Sequence, residues 1–302
     1  MSQPGPLTLM TVHAHPDDEA IGTGGTMARA ARDGHRVVLV TCTRGELGEI
    51  VVPELATPDN HRRLGEIRAA ELEAALAELG VAEWENLGYR DSGMMGSPGN
   101  DDPRSFWQAD VDDAARRLTW LVRRHRPHVM TTYNEIGSYG HPDHIRVHDV
   151  SVRAFDRAGD AAWYPEQLAG ELTPWKPLKL YEQAIPASVR AAMREAIEAT
   201  GQRSFWSPPE SATRRELAEW RARMRQMLVP DAKVTAWIDI DDVLERKWAA
   251  LRRHVTQIAP DSTFMLLGLD GWRRHWNREA YILRRSRVRT KRPESDLFAG
   301  LL

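Results

Sequence analysis

The chain has 302 residues, of which 42% are hydrophobic and 28% charged, as is typical of a globular protein that buries a substantial core. Its formal net charge of −2 at pH 7 provides no overall positive field, so we expect no nucleic-acid partner. Cys42 is the only cysteine, which excludes an intrachain disulfide.

The sequence predicts neither a secretion signal nor a membrane span. The N-terminal "MSQPGP" has no basic region and is not followed by the long apolar segment of a signal peptide. No stretch of about 18 consecutive apolar residues occurs, so a transmembrane helix is not expected. We therefore predict a cytoplasmic protein without a membrane partner, and leave open whether it forms a homo-oligomer.

Short apolar segments alternate with helix-like segments through the first half of the chain. The predicted strands are "LTLMTVHAH" (7–15), "RVVLVTCT" (36–43), "WENLGY" (84–89) and "HVMTTY" (128–133). Segments with helical spacing follow them, at 20–35, 63–80, 111–127 and 140–155. This alternation predicts an α/β fold with a Rossmann-like, mostly parallel sheet flanked by helices.

A segment rich in proline and glycine, "PEQLAGELTPWKP" (165–177), indicates a boundary within the chain. We predict a hydrolase core at residues 1–165 and a C-terminal portion at residues 166–302. The C-terminal portion contains strand-like segments, "KLYEQAI" and "KVTAWIDI", and the helix-like "DDVLERKWAALRRH". We expect this α+β portion to pack on the core and complete its site, so that both portions form one continuous domain.

Polar segments follow each of the four predicted strands. They are "HAHPDDE" (13–19), "TRGELGE" (43–49), "YRDSG" (89–93) and "NEIGSYGHPDH" (134–144). In open α/β sheets, ligands bind beyond the carboxyl ends of the strands. The four loops are therefore predicted to meet at one edge of the sheet and to form the functional site there.

Two of these loops contain residue types that commonly bind metal ions. His15 and Asp18 are three residues apart at the start of a predicted helix, and could reach one ion together. "HPDH" offers His141 and His144 as sources of a third ligand, and their spacing does not decide between them. The lone cysteine excludes a cysteine-based zinc site. We predict one zinc ion per chain, with Fe²⁺ as the alternative.

Residues beside the predicted ligands suit hydrolysis. Asp17 could act as a general base towards water that the metal activates. The histidine of "HPDH" that does not bind metal could stabilise an oxyanion as an imidazolium, with Asp143 as its orienting partner. Tyr139 lies just upstream and could donate a hydrogen bond to the same oxyanion.

Other interpretations of these segments are weaker. A single His-Pro-Asp triplet is commonly a turn, but two such motifs that each follow a predicted strand favour a site. The glycines of "GTGG" do not complete a dinucleotide-binding pattern, because its third glycine position is Met27. They are instead expected to let a helix approach the sheet closely. No G-x-S-x-G motif of a serine hydrolase occurs.

The paired motifs "AHPDDE" and "GHPDH" resemble those of the LmbE-like, or PIG-L, superfamily of zinc-dependent N-deacetylases. More of the chain, including "HVTQIAPDSTF", "RPESDLFAGL" and "YRDSGM", resembles the mycothiol branch of that superfamily. This branch contains N-acetylglucosaminyl-inositol deacetylases and mycothiol S-conjugate amidases.

The resemblance implies a role for each site residue. The implied zinc ligands are His15, Asp18 and His144, with Asp17 as general base. The implied catalytic partners are His141 as general acid, Asp143 tuning it, and Tyr139 polarising the carbonyl. Arg68 and Asp91 match positions that hold sugar hydroxyl groups.

We predict zinc-dependent hydrolysis of an amide bond on an N-acylated glucosamine conjugate, a small-molecule substrate. The S-conjugate amidases carry a lysine shortly after the first motif, whereas this chain has Gly22 near that place. The alternatives are an amino-sugar N-deacetylase of secondary metabolism, acting on an aminoglycoside or glycopeptide, and a metal-bound module without catalytic activity.

Overall fold

A seven-stranded, mostly parallel sheet forms the centre of the protein. The computed structural model describes residues 5–301. The strands are β1 (Thr8–His13), β2 (Arg36–Thr41), β3 (Glu83–Asn86), β4 (Val129–Thr132), β5 (Lys179–Ala184), β6 (Ala236–Asp239) and β7 (Arg278–Ser286). Their order in the sheet is β3-β2-β1-β4-β5-β7-β6. Strands β1 to β5 are parallel, and β7 runs antiparallel to both β5 and β6. The predicted α/β fold is therefore confirmed.

Helices cover both faces of this sheet. Within residues 5–301 they are α1 (Asp18–Gly22), α2 (Gly24–Arg32), α3 (Pro58–Arg62), α4 (Leu64–Leu79), α5 (Val111–His125), α6 (Gly137–Gly140), α7 (Pro142–Arg157), α8 (Ala187–Glu198), α9 (Arg214–Met227), α10 (Leu244–Leu251) and α11 (Gly268–His275). Short 3₁₀ turns occur at Pro53–Leu55, Pro98–Asp101, Pro165–Leu168, Asp231–Lys233 and Asp241–Val243.

Strand β1 is buried on both faces, as its continuous apolar sequence predicts. Successive side chains of a strand point to opposite faces of the sheet. Leu9 accordingly packs into a core with α2, α4 and α10, whereas Met10 packs into a second core with α5 and α7. The two cores hold β1 in the middle of the molecule, so the loop that follows β1 begins at a rigid position.

The segment at residues 20–35, which was predicted as one helix, forms two helices separated at Thr23. The hydroxyl of Thr23 lies 2.9 Å from Nε2 of His13 and 3.3 Å from the carbonyl oxygen of Glu19. These local hydrogen bonds compete with the continuous helix that the sequence spacing favours. The break turns the short helix α1 towards the end of β1.

The C-terminal half extends the sheet and holds the N-terminus of α2. The Glu279 carboxylate on β7 accepts hydrogen bonds from the backbone N–H groups of Gly25 and Thr26, both at 2.8 Å. Lys247 on α10 contacts the same carboxylate at 2.6 Å. A Cβ atom at Gly25 would lie 2.6 Å from the Ile240 side chain, so the close approach of α2 here requires glycine. The boundary near residue 165 stays a prediction.

No helix among residues 5–301 is both long enough and apolar enough to cross a lipid bilayer. The longest of them, α4 and α7, have 16 residues each and carry several charged side chains.

Candidate active site

Three of the four predicted loops supply side chains that meet at the carboxyl edge of the sheet. His15 follows β1, Asp91 follows β3, and both His141 and Asp143 follow β4. One potential ligand atom from each of these four residues lies within 4.8 Å of the others, and all four side chains are buried. His144 forms a second such group with His15 and His141. The loop after β2 contributes by holding Asp91, whose Oδ2 accepts a hydrogen bond from the Leu47 backbone N–H at 3.0 Å.

Asp18 lies between two imidazoles. Its Oδ2 is 3.3 Å from Nδ1 of His15, and its Oδ1 is 3.4 Å from Nε2 of His144. Burial alone would raise the pKa of Asp18, but His144 and His15 hold it well below its usual range. The pKa of His15 is raised well above its usual value, because Asp91, Asp143 and Asp18 outweigh the effect of burial. The cluster thus concentrates ionisable groups in a buried space.

The surroundings of His144 fit a metal ion. Both of its ring nitrogens are buried, and neither has a hydrogen-bond partner among residues 5–301. A buried polar group without a partner costs free energy, so such groups are rare unless they bind something. Two imidazole nitrogens beside a carboxylate are ligands that divalent transition metals prefer. His15, Asp18 and His144 are therefore chemically suited to hold such an ion.

Asp17 has a strained backbone next to this cluster. Its φ of 104° is rare for any residue except glycine, and strain of this kind concentrates at functional sites. The Glu19 carboxylate accepts a hydrogen bond from the Asp17 backbone N–H at 2.9 Å. Burial raises the pKa of Asp17 to about 6, although the positive charge of Arg68 opposes this shift. The Asp17 carboxylate lines a cavity that Asp18 and His144 also line.

Arg68 and Asp91 are both buried and bonded to the protein's own loops. The Arg68 guanidinium donates to the carbonyl oxygens of Gly45 at 2.8 Å and Pro16 at 2.5 Å, and contacts Asp17 at 3.3 Å. A Cβ atom at Gly45 would lie 2.1 Å from Arg68, so glycine is required there. Asp91 accepts a second hydrogen bond, from the Gly93 backbone N–H at 2.7 Å. Their predicted contacts with sugar hydroxyls stay a prediction.

The Asp143 carboxylate contacts His15. Its Oδ2 lies 3.1 Å from Nε2 of His15 and accepts a hydrogen bond from the Ser92 backbone N–H at 3.0 Å, while the Ser92 hydroxyl donates to Oδ1. Asp143 contacts His141 through its backbone instead, because the Asp143 N–H donates a hydrogen bond to Nδ1 of His141 at 3.2 Å. Asp143 is thus placed to orient His15, and its tuning of His141 stays a prediction. The sequence interpretation did not identify Ser92 as a partner of Asp143.

His141 is neutral at pH 7. Burial lowers its pKa to about 2, and the nearby His15 and His144 act in the same direction. An anion that forms beside this ring would favour its protonated form, because opposite charges raise the pKa of an imidazole. His141 is thus poised to take up a proton when negative charge develops in the site.

Two tyrosines flank the cluster. The Tyr133 ring stacks on His144 with 4.1 Å between ring centroids, and its hydroxyl accepts a hydrogen bond from the Ala14 backbone N–H at 3.2 Å. Tyr139 is 41% exposed and lines the cavity, with its ring 5.0 Å from that of His144. Burial of the Tyr139 hydroxyl raises its pKa, so the group stays a hydrogen-bond donor at pH 7. The sequence interpretation identified Tyr139 but not Tyr133.

A buried contact between His254 and Glu19 supports the loop that follows β1. Nε2 of His254, at the end of the segment that follows α10, lies 2.7 Å from Oε1 of Glu19. Neither side chain is exposed. Burial would lower the pKa of His254, but the Glu19 carboxylate outweighs burial and raises the pKa above its usual value. Because Glu19 also holds the Asp17 backbone, the C-terminal half positions the first motif.

The cluster opens into one cavity of about 470 Å³. Asp17, Asp18, Tyr139 and His144 line its polar end. A mostly apolar arm extends from it towards α8 and α9, lined by Val189, Met193, Phe205, Trp206, Met227, Phe264 and Trp276. Gly22 and Gln183 also line this cavity, and a Cβ atom at Gly22 would be 2.1 Å from Oε1 of Gln183.

Comparison with known proteins assigns the chain to a family. Residues 10–155 match the family described as "PIG-L: GlcNAc-PI de-N-acetylase". A Frankia alni protein named 1D-myo-inositol 2-acetamido-2-deoxy-alpha-D-glucopyranoside deacetylase 1 is 46% identical over 304 residues, covering 96% of this chain and 100% of the relative. The chain belongs to the PIG-L family. A deacetylase of the same name from Geodermatophilus obscurus is 43% identical and covers 97% of each chain.

Solved structures show that this PIG-L family member shares its fold with several enzymes. N,N'-diacetylchitobiose deacetylase from Pyrococcus horikoshii has a TM-score of 0.61 at 19% identity, covering 91% of this chain and 83% of the other. GalB, a 4-carboxy-2-hydroxymuconate hydratase from Pseudomonas putida, also scores 0.61, at 18% identity, and covers 94% and 99%. Since a deacetylase and a hydratase share the architecture, the function must be argued from the site.

Proposed function

We propose that this PIG-L family protein is a zinc-dependent deacetylase that hydrolyses the acetamide of N-acetylglucosaminyl-inositol. The observation that carries the proposal is the contact of the Asp18 carboxylate with His15 at 3.3 Å and with His144 at 3.4 Å, beside Asp17, in a chain 46% identical to a deacetylase of that name. His144 has two buried nitrogens without partners among residues 5–301, which supports a metal role for it.

His15, Asp18 and His144 would hold the zinc ion. Two histidines and one carboxylate match the three protein ligands of many catalytic zinc sites. When bound, zinc supplies a Lewis acid that makes water more acidic and draws electrons from an amide carbonyl. Asp143 orients the His15 ring through its contact with Nε2, at 3.1 Å, as partners of metal-binding histidines do.

Asp17 would act as the general base. Its carboxylate lines the cavity next to Asp18, and its pKa of about 6 leaves it ionised at pH 7 but able to accept a proton. Arg68 holds the Asp17 carboxylate in place, with its Nη2 3.3 Å from Oδ2 of Asp17. The proton taken from water leaves a hydroxide equivalent to add to the acetyl carbon, which places negative charge on the former carbonyl oxygen.

His141 and Tyr139 would stabilise that negative charge. Tyr139 keeps its hydroxyl proton and can donate a hydrogen bond to the oxygen. His141 takes up a proton from solvent as the charge develops and then gives it to the departing amine, while Asp17 returns to solvent the proton that it took from water. Breakage of the carbon–nitrogen bond yields acetate and the free amino sugar. Arg68 and Asp91 would contact sugar hydroxyls with the hydrogen-bonding capacity that their loop contacts leave.

The test is to measure metal content and amine release together. The substrates are N-acetylglucosaminyl-inositol, an N-acetylglucosaminyl-malate and a mycothiol S-conjugate, which also separate a deacetylase from an S-conjugate amidase. We expect one zinc ion per chain and the fastest amine release from the inositol substrate. Stoichiometric zinc without amine release from any N-acyl sugar would overturn the proposal and favour a non-catalytic module. Amine release only from an N-acylated aminoglycoside or glycopeptide, assayed beside these substrates, would favour a deacetylase of secondary metabolism.

A further inference from the structure

Among residues 5–301, each buried lysine or arginine except one contacts a carboxylate or donates to several oxygen atoms. Lysine and arginine are almost never buried without a partner, because removing their charge from water is costly. Lys179 contacts Glu294 at 3.1 Å, and Lys247 contacts Glu279 at 2.6 Å. Arg68 contacts Asp17, and Arg123 donates to five oxygen atoms of the segment around residues 158–167.

Arg190 on α8 is the exception within residues 5–301. Only 6% of its surface is exposed. Within the described residues, its side chain donates a single hydrogen bond, from Nη2 to the Trp206 carbonyl oxygen at 2.7 Å. Its Nε is buried without a partner. In this described part of the chain, no carboxylate oxygen lies within 4.0 Å of its guanidinium nitrogens.

The rings of Trp206 and Trp220 lie 5.8 and 6.0 Å from the Arg190 guanidinium carbon and stabilise its charge weakly, but no opposite charge offsets its burial. The charged group that acts on it is Arg194, one helical turn later and of the same sign. Both burial and Arg194 lower the pKa of Arg190, yet an arginine remains protonated in a protein. A second donor without a partner, Nε1 of Trp220, is buried on a ring whose centroid lies 6.0 Å from the Arg190 guanidinium carbon. Buried donors without acceptors therefore cluster here.

Arg190 lines the apolar arm of the catalytic cavity. We propose that Arg190 forms an anion-binding subsite, which takes a carboxylate or phosphate carried by the substrate on the side remote from the acetamide. A guanidinium binds both groups through two parallel hydrogen bonds. The apolar side chains of Met193, Trp206 and Phe264 exclude water, which strengthens such an ion pair.

This inference rests on the proposed function and extends its substrate class. Besides the neutral inositol conjugate, the subsite would admit N-acetylglucosamine conjugates whose second half is acidic. The sugar would occupy the polar end of the cavity, and its acidic partner would extend along the arm to Arg190. Carboxylates and phosphates share the chemistry that the arginine recognises, so both are tested.

The experiment compares anionic and neutral substrates in matched variants. N-acetylglucosaminyl-malate carries carboxylates, N-acetylglucosamine 1-phosphate carries a phosphate, and N-acetylglucosaminyl-inositol carries neither. For the wild type, Arg190→Met and Arg190→Lys, kcat/KM is measured by amine release, and binding of the two anionic compounds by calorimetry. Arg194→Met is the matched control, because Arg194 lies on the same helix and contacts Glu195 and Glu198, both at 3.8 Å.

We expect Arg190→Met to lower kcat/KM and affinity for at least one anionic compound by about 10- to 100-fold, the loss typical of a charged hydrogen bond. The inositol substrate should be turned over at the wild-type rate, Arg190→Lys should recover part of the loss, and Arg194→Met should cause none. Unchanged binding of both anionic compounds by Arg190→Met, with wild-type turnover of the inositol substrate, would overturn the subsite.

Equal losses for the neutral and anionic compounds would also overturn it, since they would indicate a purely structural role for Arg190. A different result would refute the proposed function while leaving the subsite intact. If no compound releases amine but an anionic compound still binds in an Arg190-dependent way, the subsite stands and the deacetylase assignment falls.

Discussion

Nη2 of Arg68 lies 3.3 Å from Oδ2 of Asp17, and this contact joins the long helix α4 to the strained residue that precedes α1. The same guanidinium holds the carbonyl oxygens of Pro16 and Gly45, so one side chain connects the loops after β1 and β2. A carboxylate that is held by an ion pair, on a residue whose backbone N–H is bonded to Glu19, loses little conformational freedom when it acts. Arg68 therefore qualifies as a positioning residue for the proposed base, besides its predicted contact with sugar.

Replacement of Arg68 separates these two roles. Arg68→Met removes the ion pair and both loop contacts, so we expect kcat to fall by about 10- to 100-fold. A role limited to sugar binding would instead raise KM and leave kcat unchanged. Steady-state amine release from N-acetylglucosaminyl-inositol gives both constants. Arg63→Met is the control, because Arg63 is exposed next to the same helix and contacts only exposed acids.

Asp17→Asn tests the general base. The amide cannot accept a proton as the carboxylate does, so we expect kcat to fall by about 100-fold or more. Metal content should stay at the wild-type level, because the predicted ligands are untouched. The measurements are turnover and metal stoichiometry on the same preparation. Near-full turnover in Asp17→Asn would assign the base to another residue.

The two histidines of "HPDH" should respond differently to replacement. His144→Ala removes a predicted ligand, so we expect loss of bound zinc together with loss of activity. His141→Ala should keep zinc and lower kcat by about 100-fold or more, since it removes a proton donor. Elemental analysis of both purified variants distinguishes the roles. Full zinc in His144→Ala, or its loss in His141→Ala, would reverse the assignment.

His148 should make stability depend on pH. Burial opposes its charge, but the Asp149 and Glu182 carboxylates raise its pKa to about 9, above the value of about 6.5 in an unfolded chain. The folded state thus binds this proton more tightly. The resulting stabilisation is complete below about pH 6.5 and disappears as the pH rises through about 9.

The free energy of unfolding of wild type and His148→Gln should therefore differ most near pH 6 and converge above about pH 9. Urea denaturation of the zinc-loaded proteins across this range measures the difference. His61→Gln, at an exposed position, is the control and should show no such trend. A gap between wild type and His148→Gln that widens with pH would contradict the assignment of a raised pKa.

Local sequence patterns predicted the sheet and the loops well. Strand β1 is a continuous apolar segment, and each polar loop follows such a segment, so the meeting of His15, Asp91 and His141 follows from the rule for parallel sheets. Strand β7 was not predicted because its sequence, "REAYILRRS", has few apolar residues and many charges. It is a strand because β5 and β6 pair with its two edges.

Partners distant in sequence could not be predicted. His254 contacts Glu19 across 235 residues, and the Asp143 carboxylate contacts Ser92 across 51. The spacing of residues along the sequence does not indicate such contacts, because they depend on how the whole sheet is assembled. The left-handed backbone of Asp17 was equally hidden, since its sequence neighbours contain no glycine that would indicate a positive φ.

The carboxylate that binds the first amides of α2 has a consequence for synthesis of the chain. Glu279 follows Gly25 by 254 residues, yet it satisfies N–H groups that would otherwise have no partner at the start of this helix. While the protein emerges from the ribosome, the loop with His15 and Asp18 is made well before β7, so the neighbouring helix α2 lacks this carboxylate until Glu279 has been synthesised. We therefore expect the start of α2 to become fully hydrogen-bonded only after β7 has joined the sheet.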